Sequence, residues 1–92
     1  NGEDLSWLLI FLVARSQLKG DKLPMSDLYV SAPSAKSTIN ARINSLIEDG
    51  VFNKEHDVSD GRRQLISLTD HFYAGLLLHI DASVALIKGK VT

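Results

Sequence analysis

Ser37, Thr38, Asn40, Ala41 and Asn44 lie in a helical pattern whose other side is apolar. Their side chains are short, and the hydroxyls and carboxamides both donate and accept hydrogen bonds. A helix face of this kind can approach base edges closely in a nucleic-acid groove, where Ala41 would offer apolar contact to a thymine methyl. Ser34 opens the same pattern. Further along, Arg62 and Arg63 follow a Ser-Asp-Gly turn. An arginine on such a tip is drawn to the negative potential of a minor groove. Lys36, Arg42 and Lys54 are placed to contact phosphates, which position a protein without reading sequence. Two plainer readings stand beside these. The helix face is a Ser-rich solvated surface, or the arginines pair locally with Asp57 or Asp60.

Other chemistries find less support. His56, His71 and His79 are the only histidines, and the last two are eight apart, a poor alignment on a helix. No Asp or Glu completes a metal triad with them, so solvated or partly packed imidazoles are expected and no metal or other cofactor. With no cysteine, a thiol nucleophile, a disulfide scaffold and a cysteine-held metal are excluded. There is no Gly-rich phosphate loop and no nucleophile elbow, so an enzyme is not expected.

The elements that would carry these residues can be read from periodicity and turn chemistry. A first helix is expected over about Leu5–Leu18, capped by Asp4 or Ser6 and ended by Gly20. Its centre, Trp7–Ala14, is apolar on every side, which calls for burial on more than one face. Leu23-Pro24-Met25 reads as extended. A short helix is expected from Ser26 to near Ala32-Pro33, with Met25 and Val30 as a hydrophobic staple. The third helix runs from about Ser34 to Asp49, with Ile39, Ile43, Leu46 and Ile47 as its buried stripe and Gly50 as its stop. Its opposite face carries Ser34, Ser37, Thr38, Ala41, Asn44 and Ser45, where a solvated face would ordinarily carry Lys and Glu. Val51–His56 and Arg63–Leu68 read as a two-stranded hairpin with its tip at about 57–62. A last helix follows Thr69 as N-cap and runs to about Lys88, carrying Phe72, Leu76, Leu77, Ile80, Val84 and Ile87, with Gly89 as its stop. The expected fold class is mainly α with a small β-hairpin: helix, short strand, helix, helix, two-stranded wing, helix. That order is a winged helix-turn-helix.

The whole chain of 92 residues reads as one domain, with 24–69 as helix-turn-helix and wing and 5–18 and 70–88 as flanking helices. An apolar share of 45% with 23% charged residues is globular composition and excludes a disordered chain. The net charge of −1 excludes a strongly basic nucleic-acid coat. Between Ala32 and Thr69, five basic residues are balanced by five acidic ones. The longest apolar run, Trp7–Ala14, is far too short to cross a bilayer, and Glu3 and Asp4 precede it where a signal peptide would be positive. No membrane association is expected, and a cytoplasmic location is.

The stretch Ser37-Thr38-Ile39-Asn40, with Ile43, Leu46 and Gly50-Val51-Phe52, then Asp60-Gly61-Arg62 and Ile66-Ser67-Leu68-Thr69, resembles the MarR-type winged-helix transcription regulators. Their wing signature is Asp-x-Arg with a Thr seven residues later, closing Leu-Thr, and Asp60, Arg62 and Thr69 have that spacing. The resemblance covers about residues 5–88. It implies that 34–49 is the recognition helix in the major groove and that Arg62 braces the minor groove of double-stranded DNA. It further implies a homodimer built from helices 5–18 and 70–88 that reads pseudo-palindromic sites. A small-molecule effector, unidentified by the sequence, would bind between the dimer helices and the DNA-binding lobes. The chain departs from the family pattern at four points. Ala41 and Ser45 stand where basic residues are usual, with the Arg displaced to Arg42. Pro33 stands at a turn position commonly Gly, and Phe72 where a Gly usually follows Leu-Thr. The family's full chains are also longer, with additional dimerisation helices. The neutral balance and the missing arginines motivate an alternative, a winged-helix protein–protein interaction module without DNA-binding activity.

Overall fold

A computed structural model describes residues 2–79. In chain order these form α1 (Gly2–Leu18), β1 (Leu23–Pro24), α2 (Met25–Ser31), α3 (Lys36–Glu48), β2 (Phe52–His56), β3 (Gln64–Leu68) and α4 (70–79). The expected winged helix-turn-helix order is observed. The expected continuation of the last helix through Ile80, Val84, Ile87 and Lys88 to Gly89 lies outside the described residues.

The element ends follow from local chemistry. Gly20 and Gly50 take positive φ, +86° and +77°. Each closes a Schellman turn, as Gly at that position does without a Cβ penalty. In the first, Gly20 N–H donates to Gln17 O at 2.9 Å and Asp21 N–H to Ser16 O at 3.1 Å. In the second, Gly50 N–H donates to Ile47 O at 3.1 Å and Val51 N–H to Leu46 O at 2.9 Å. Val51 is therefore engaged with α3, and β2 starts one residue later than expected. Arg63 likewise belongs to the wing turn, because its N–H donates to Asp60 O at 2.9 Å, and β3 starts at Gln64.

Three helix starts also move. The first helix starts at Gly2, not Leu5, so Asp4 and Ser6 lie inside it and neither is its cap. Acidic residues suit the positive end of a helix as well as its cap, and Glu3 and Asp4 take the first turn. The second helix starts at Met25 because Pro24, at φ −62° and ψ 141°, serves as its N-cap. That shift moves the staple positions to Leu23 and Leu28, both in the core cluster, and leaves Val30 86% exposed; the expected Met25–Val30 staple does not form. The third helix starts at Lys36 behind Ala35, not at Ser34. Ser34 is held in the preceding turn, its N–H donating to Ala32 O at 2.9 Å.

The sheet has three strands in the order β1-β3-β2, not two. Leu23 pairs with Ile66 and Pro24 with Leu65, antiparallel. Pro24 is tolerated because β1 is an edge strand and needs no donor there. β2 and β3 pair antiparallel from Phe52↔Leu68 to His56↔Gln64. Beyond the short reach of β1, Leu68 N–H donates to Gln17 Oε1 at 2.9 Å, which ties α1 to the sheet.

One core joins these layers. Leu9, Ile10, Val13 and Ala14 of α1 meet Met25 and Leu28 of α2, Ile39, Ile43 and Leu46 of α3, and Phe52, Ile66 and Leu68 of the sheet. The stripe expected on α3 is buried at Ile39, Ile43 and Leu46 and half-buried at Ile47. Thr69 locks the last junction. Its Oγ1 accepts from Phe72 N–H at 3.2 Å as N-cap of α4 and donates to Gly50 O at 2.7 Å. Its own N–H donates to Val51 O at 2.9 Å.

Candidate nucleic-acid interface

With Ile39, Ile43 and Leu46 pointing inward, the turn of about 100° per residue carries Ser37, Ala41 and Asn44 to the opposite side of α3. All three are exposed, as are Thr38 and Asn40 at the flanks. Arg42 is turned about 100° from Ala41 and is half-buried. It therefore stands beside the outward face, not on it. Ser34 is exposed in the turn ahead of the helix. Ala35, as N-cap, supplies no side-chain hydrogen bond, and the first backbone bond of the helix is Ile39 N–H to Ala35 O at 3.0 Å. The N–H groups of the opening turn thus have no helical acceptor, the usual condition at a helix start.

The wing is held by two aspartates with separate tasks. Asp57 Oδ1 accepts from the Ser59 N–H at 2.9 Å and from the Ser59 hydroxyl at 2.8 Å. Asp57 Oδ2 stands 3.8 Å from Arg63 Nη1. The Ser59 hydroxyl and amide, with a smaller contribution from the Arg63 charge, hold the Asp57 carboxyl below the ordinary aspartate value. Asp60 Oδ1 accepts from the Arg62 N–H at 3.1 Å and shapes the turn. The Asp57 N–H donates to Arg63 O at 2.9 Å and closes the hairpin. Arg63 is therefore engaged in a local ion pair. The exposed Arg62 guanidinium makes no ion pair among the described residues.

Lys36, Arg62 and Arg63 meet in space. With Met25, Ser26, Tyr29 and Gln64 they line an open hollow of about 240 Å³ between α2, the start of α3 and the base of the wing. No carboxylate lines it. Of the nearby acids, Glu55 pairs with Lys22, while Asp57 pairs with Arg63 itself and Asp60 accepts from the Arg62 N–H. Glu48 and Asp49 close the far end of α3, about 18 Å along the axis from Lys36. Lys54 is not part of this hollow. It lines a separate polar one with Gln17, Asp21, Glu55 and Asp70.

Sequence reasoning did not single out Tyr29. Its ring lies under Lys36, with Nζ 5.0 Å from the centroid, and its hydroxyl donates to Asn40 Oδ1 at 3.3 Å. Only the fold brings α2 beside this flank of α3; no spacing along the chain signals it.

A second surface lies on the far side. Trp7 and Phe11 of α1 are 45% and 60% exposed, with ring centroids 6.2 Å apart. Trp7, His71, Phe72, Gly75, Leu76 and His79 line an open, mainly apolar groove of about 470 Å³ between α1 and α4.

No protein-family model and no curated protein matches the chain. Solved structures do match. A probable transcriptional regulator from Pseudomonas aeruginosa is 24% identical with a TM-score of 0.66, over 77% of this chain and 51% of that one. The structure of MarR is 18% identical with a TM-score of 0.69, over 97% of this chain and 64% of that one. The PcaV transcriptional regulator from Streptomyces coelicolor, solved with its natural ligand, is 26% identical with a TM-score of 0.57, over 86% of this chain and 54% of that one. The chain spans between about half and two thirds of the length of these proteins. Its fold is that of the MarR-type winged-helix regulators.

Proposed function

We propose that this chain is a sequence-specific DNA-binding transcription regulator that acts as a homodimer. The observation that carries the reading is the convergence of Lys36 with the wing arginines around one carboxylate-free hollow, beside the small polar face of α3. Neither feature requires the other for folding. Together they form a cationic border beside a helix face slim enough to enter a major groove. In this reading Ser37, Thr38, Asn40, Ala41 and Asn44 face base edges. Ser34 and Lys36 lie at the phosphate backbone, and Arg62 reaches the minor groove. Arg63 holds the wing through Asp57. Arg42 and Lys54 stand at the margins, where only long-range attraction to phosphate acts.

The homodimer forms through α1 and the last helix. Trp7 and Phe11 of α1 leave apolar area uncovered beside the apolar groove that α4 completes, and α4 also exposes Leu78, 71% accessible. An effector, if one is used, would enter the apolar groove between these helices, where it would alter the spacing of the two DNA-binding lobes.

The test is fluorescence anisotropy of a labelled duplex titrated with the protein and with Arg62→Ala. Weaker binding by the variant is expected. Unchanged affinity would remove Arg62 from the interface.

A further inference from the structure

The outward residues of α1 are ordered in a way that its own core does not require. Asp4, Trp7, Phe11, Arg15 and Leu18 are all exposed, in steps of three, four, four and three that are symmetric about Phe11. At about 100° per residue they fall within about 40° of Phe11, on the side of α1 away from the buried Leu9 and Val13. The stripe has two edges. Trp7 and Leu18 lie on one. Asp4 and Arg15 lie on the other, followed by Lys19 just past the helix end. None of these three charged side chains makes an ion pair among the described residues. From this pattern we infer that α1 is a self-complementary interface. It packs antiparallel on α1 of a second copy, with both Phe11 residues at the two-fold axis. The inference rests on the homodimer reading and gives it a register.

The pairing follows from symmetry. Where two identical helices meet antiparallel about a two-fold axis, like edges face each other and opposed positions are equidistant from the axis. On the apolar edge, Trp7 meets Leu18 of the second copy, beside the groove that Trp7 lines with α4. On the charged edge, Asp4 meets Arg15 and Lys19 of the second copy, each within about 5 Å along the helix axis. The acid stands in the first turn of α1 and Arg15 in the last, so opposite charges meet twice in the dimer, once at each end. Antiparallel dipoles favour the same arrangement. A parallel pair would do the reverse. It would set the charged edge of one copy on the apolar edge of the other and align the two dipoles. A shallow crossing of about 20° keeps the helices together over the whole stripe.

The chain has no cysteine, so single introduced cysteines report the register directly. Mild oxidation should cross-link Phe11→Cys into a covalent dimer, because facing positions at the two-fold axis come within disulfide reach. Trp7→Cys alone should stay uncross-linked, since it stands about 12 Å along the axis from its equivalent in the second copy. Charge exchange reads the same register without touching the apolar centre. Asp4→Arg and Arg15→Asp should each weaken dimerisation about fivefold in sedimentation equilibrium, and the double variant should recover most of the loss. Damage to the helix itself would instead accumulate in the double variant. A Phe11→Cys protein that sediments as a dimer yet resists cross-linking, self-cross-linking by Trp7→Cys, or charge effects that add would overturn the inference and leave the homodimer reading in place. An unmodified protein that sediments as a monomer would overturn both.

Discussion

Asp57 and Arg62 divide the work of the wing. Asp57 is spent on structure, with Ser59 and Arg63 gathered around its carboxylate. Arg62 is oriented by a backbone bond to Asp60 while its guanidinium stays open. Two predictions belong at this scale. Because the folded carboxyl of Asp57 titrates below its ordinary value, the order it confers is complete above the unfolded aspartate value of about 3.9. It is lost as pH falls through the lower folded value. An NMR titration of the Ser59 amide should show its midpoint below the ordinary aspartate range; a midpoint at or above that range would contradict the account. For Arg62→Ala, the log–log salt dependence of DNA affinity should flatten by about one ion. If Asp57→Asn loosens the wing without removing a DNA contact, affinity should fall while that slope is kept. The arginine doublet itself could be recognised in the sequence, as could local pairing with Asp57. The partner of each arginine could not, since adjacent side chains take opposite sides of a turn whose geometry is set by Asp60.

Among the elements, the legible features were those with strong local causes. Ile39, Ile43 and Leu46 repeat at helical spacing, and Gly20 and Gly50 supply left-handed stops, so α1 and α3 end as expected. Thr69 was readable as an N-cap, but its donation to Gly50 O was not, because that bond joins the end of α3 to the start of α4. The pairing of β1 with β3 was hidden for the same reason: a two-residue strand has no periodicity. Pro24 misled by a single residue, and with it went the staple. The double duty of Thr69 yields a stability prediction. Thr69→Ala removes a cap and strands the Gly50 carbonyl, and should cost about 1–2 kcal/mol in chemical denaturation. Thr69→Ser should recover most of it. Gln17→Leu removes the acceptor of a part-buried N–H on β3 and should cost about 1–3 kcal/mol.

The whole molecule presents two unlike surfaces on opposite tasks: a polar, cation-bordered face on α3 and the wing, and an apolar one on α1 and α4. The apolar excess of α1 was plain in Trp7–Ala14, because eight apolar residues in a row exceed what one helix face can bury in its own core. Within the described residues only one side of that run is covered: Leu9, Ile10 and Val13 are buried while Trp7 and Phe11 are exposed. Phe11→Lys should therefore shift sedimentation from dimer towards monomer and leave the fold intact, since the side chain adds little to the core. A monomer in the unmodified protein would contradict the dimer proposal. The meeting of Lys36 with Arg62 and Arg63 could not be read from the sequence, where five cations and five anions cancel; only the folded chain brings these three around one hollow lined by no carboxylate. The most direct test of the central claim is the affinity for a mixed-sequence duplex, measured by anisotropy from low to near-physiological salt. The account predicts binding that weakens linearly on a log–log plot, with a slope of about −0.9 for each phosphate engaged. Absence of binding at low salt, or binding indifferent to salt, would contradict it.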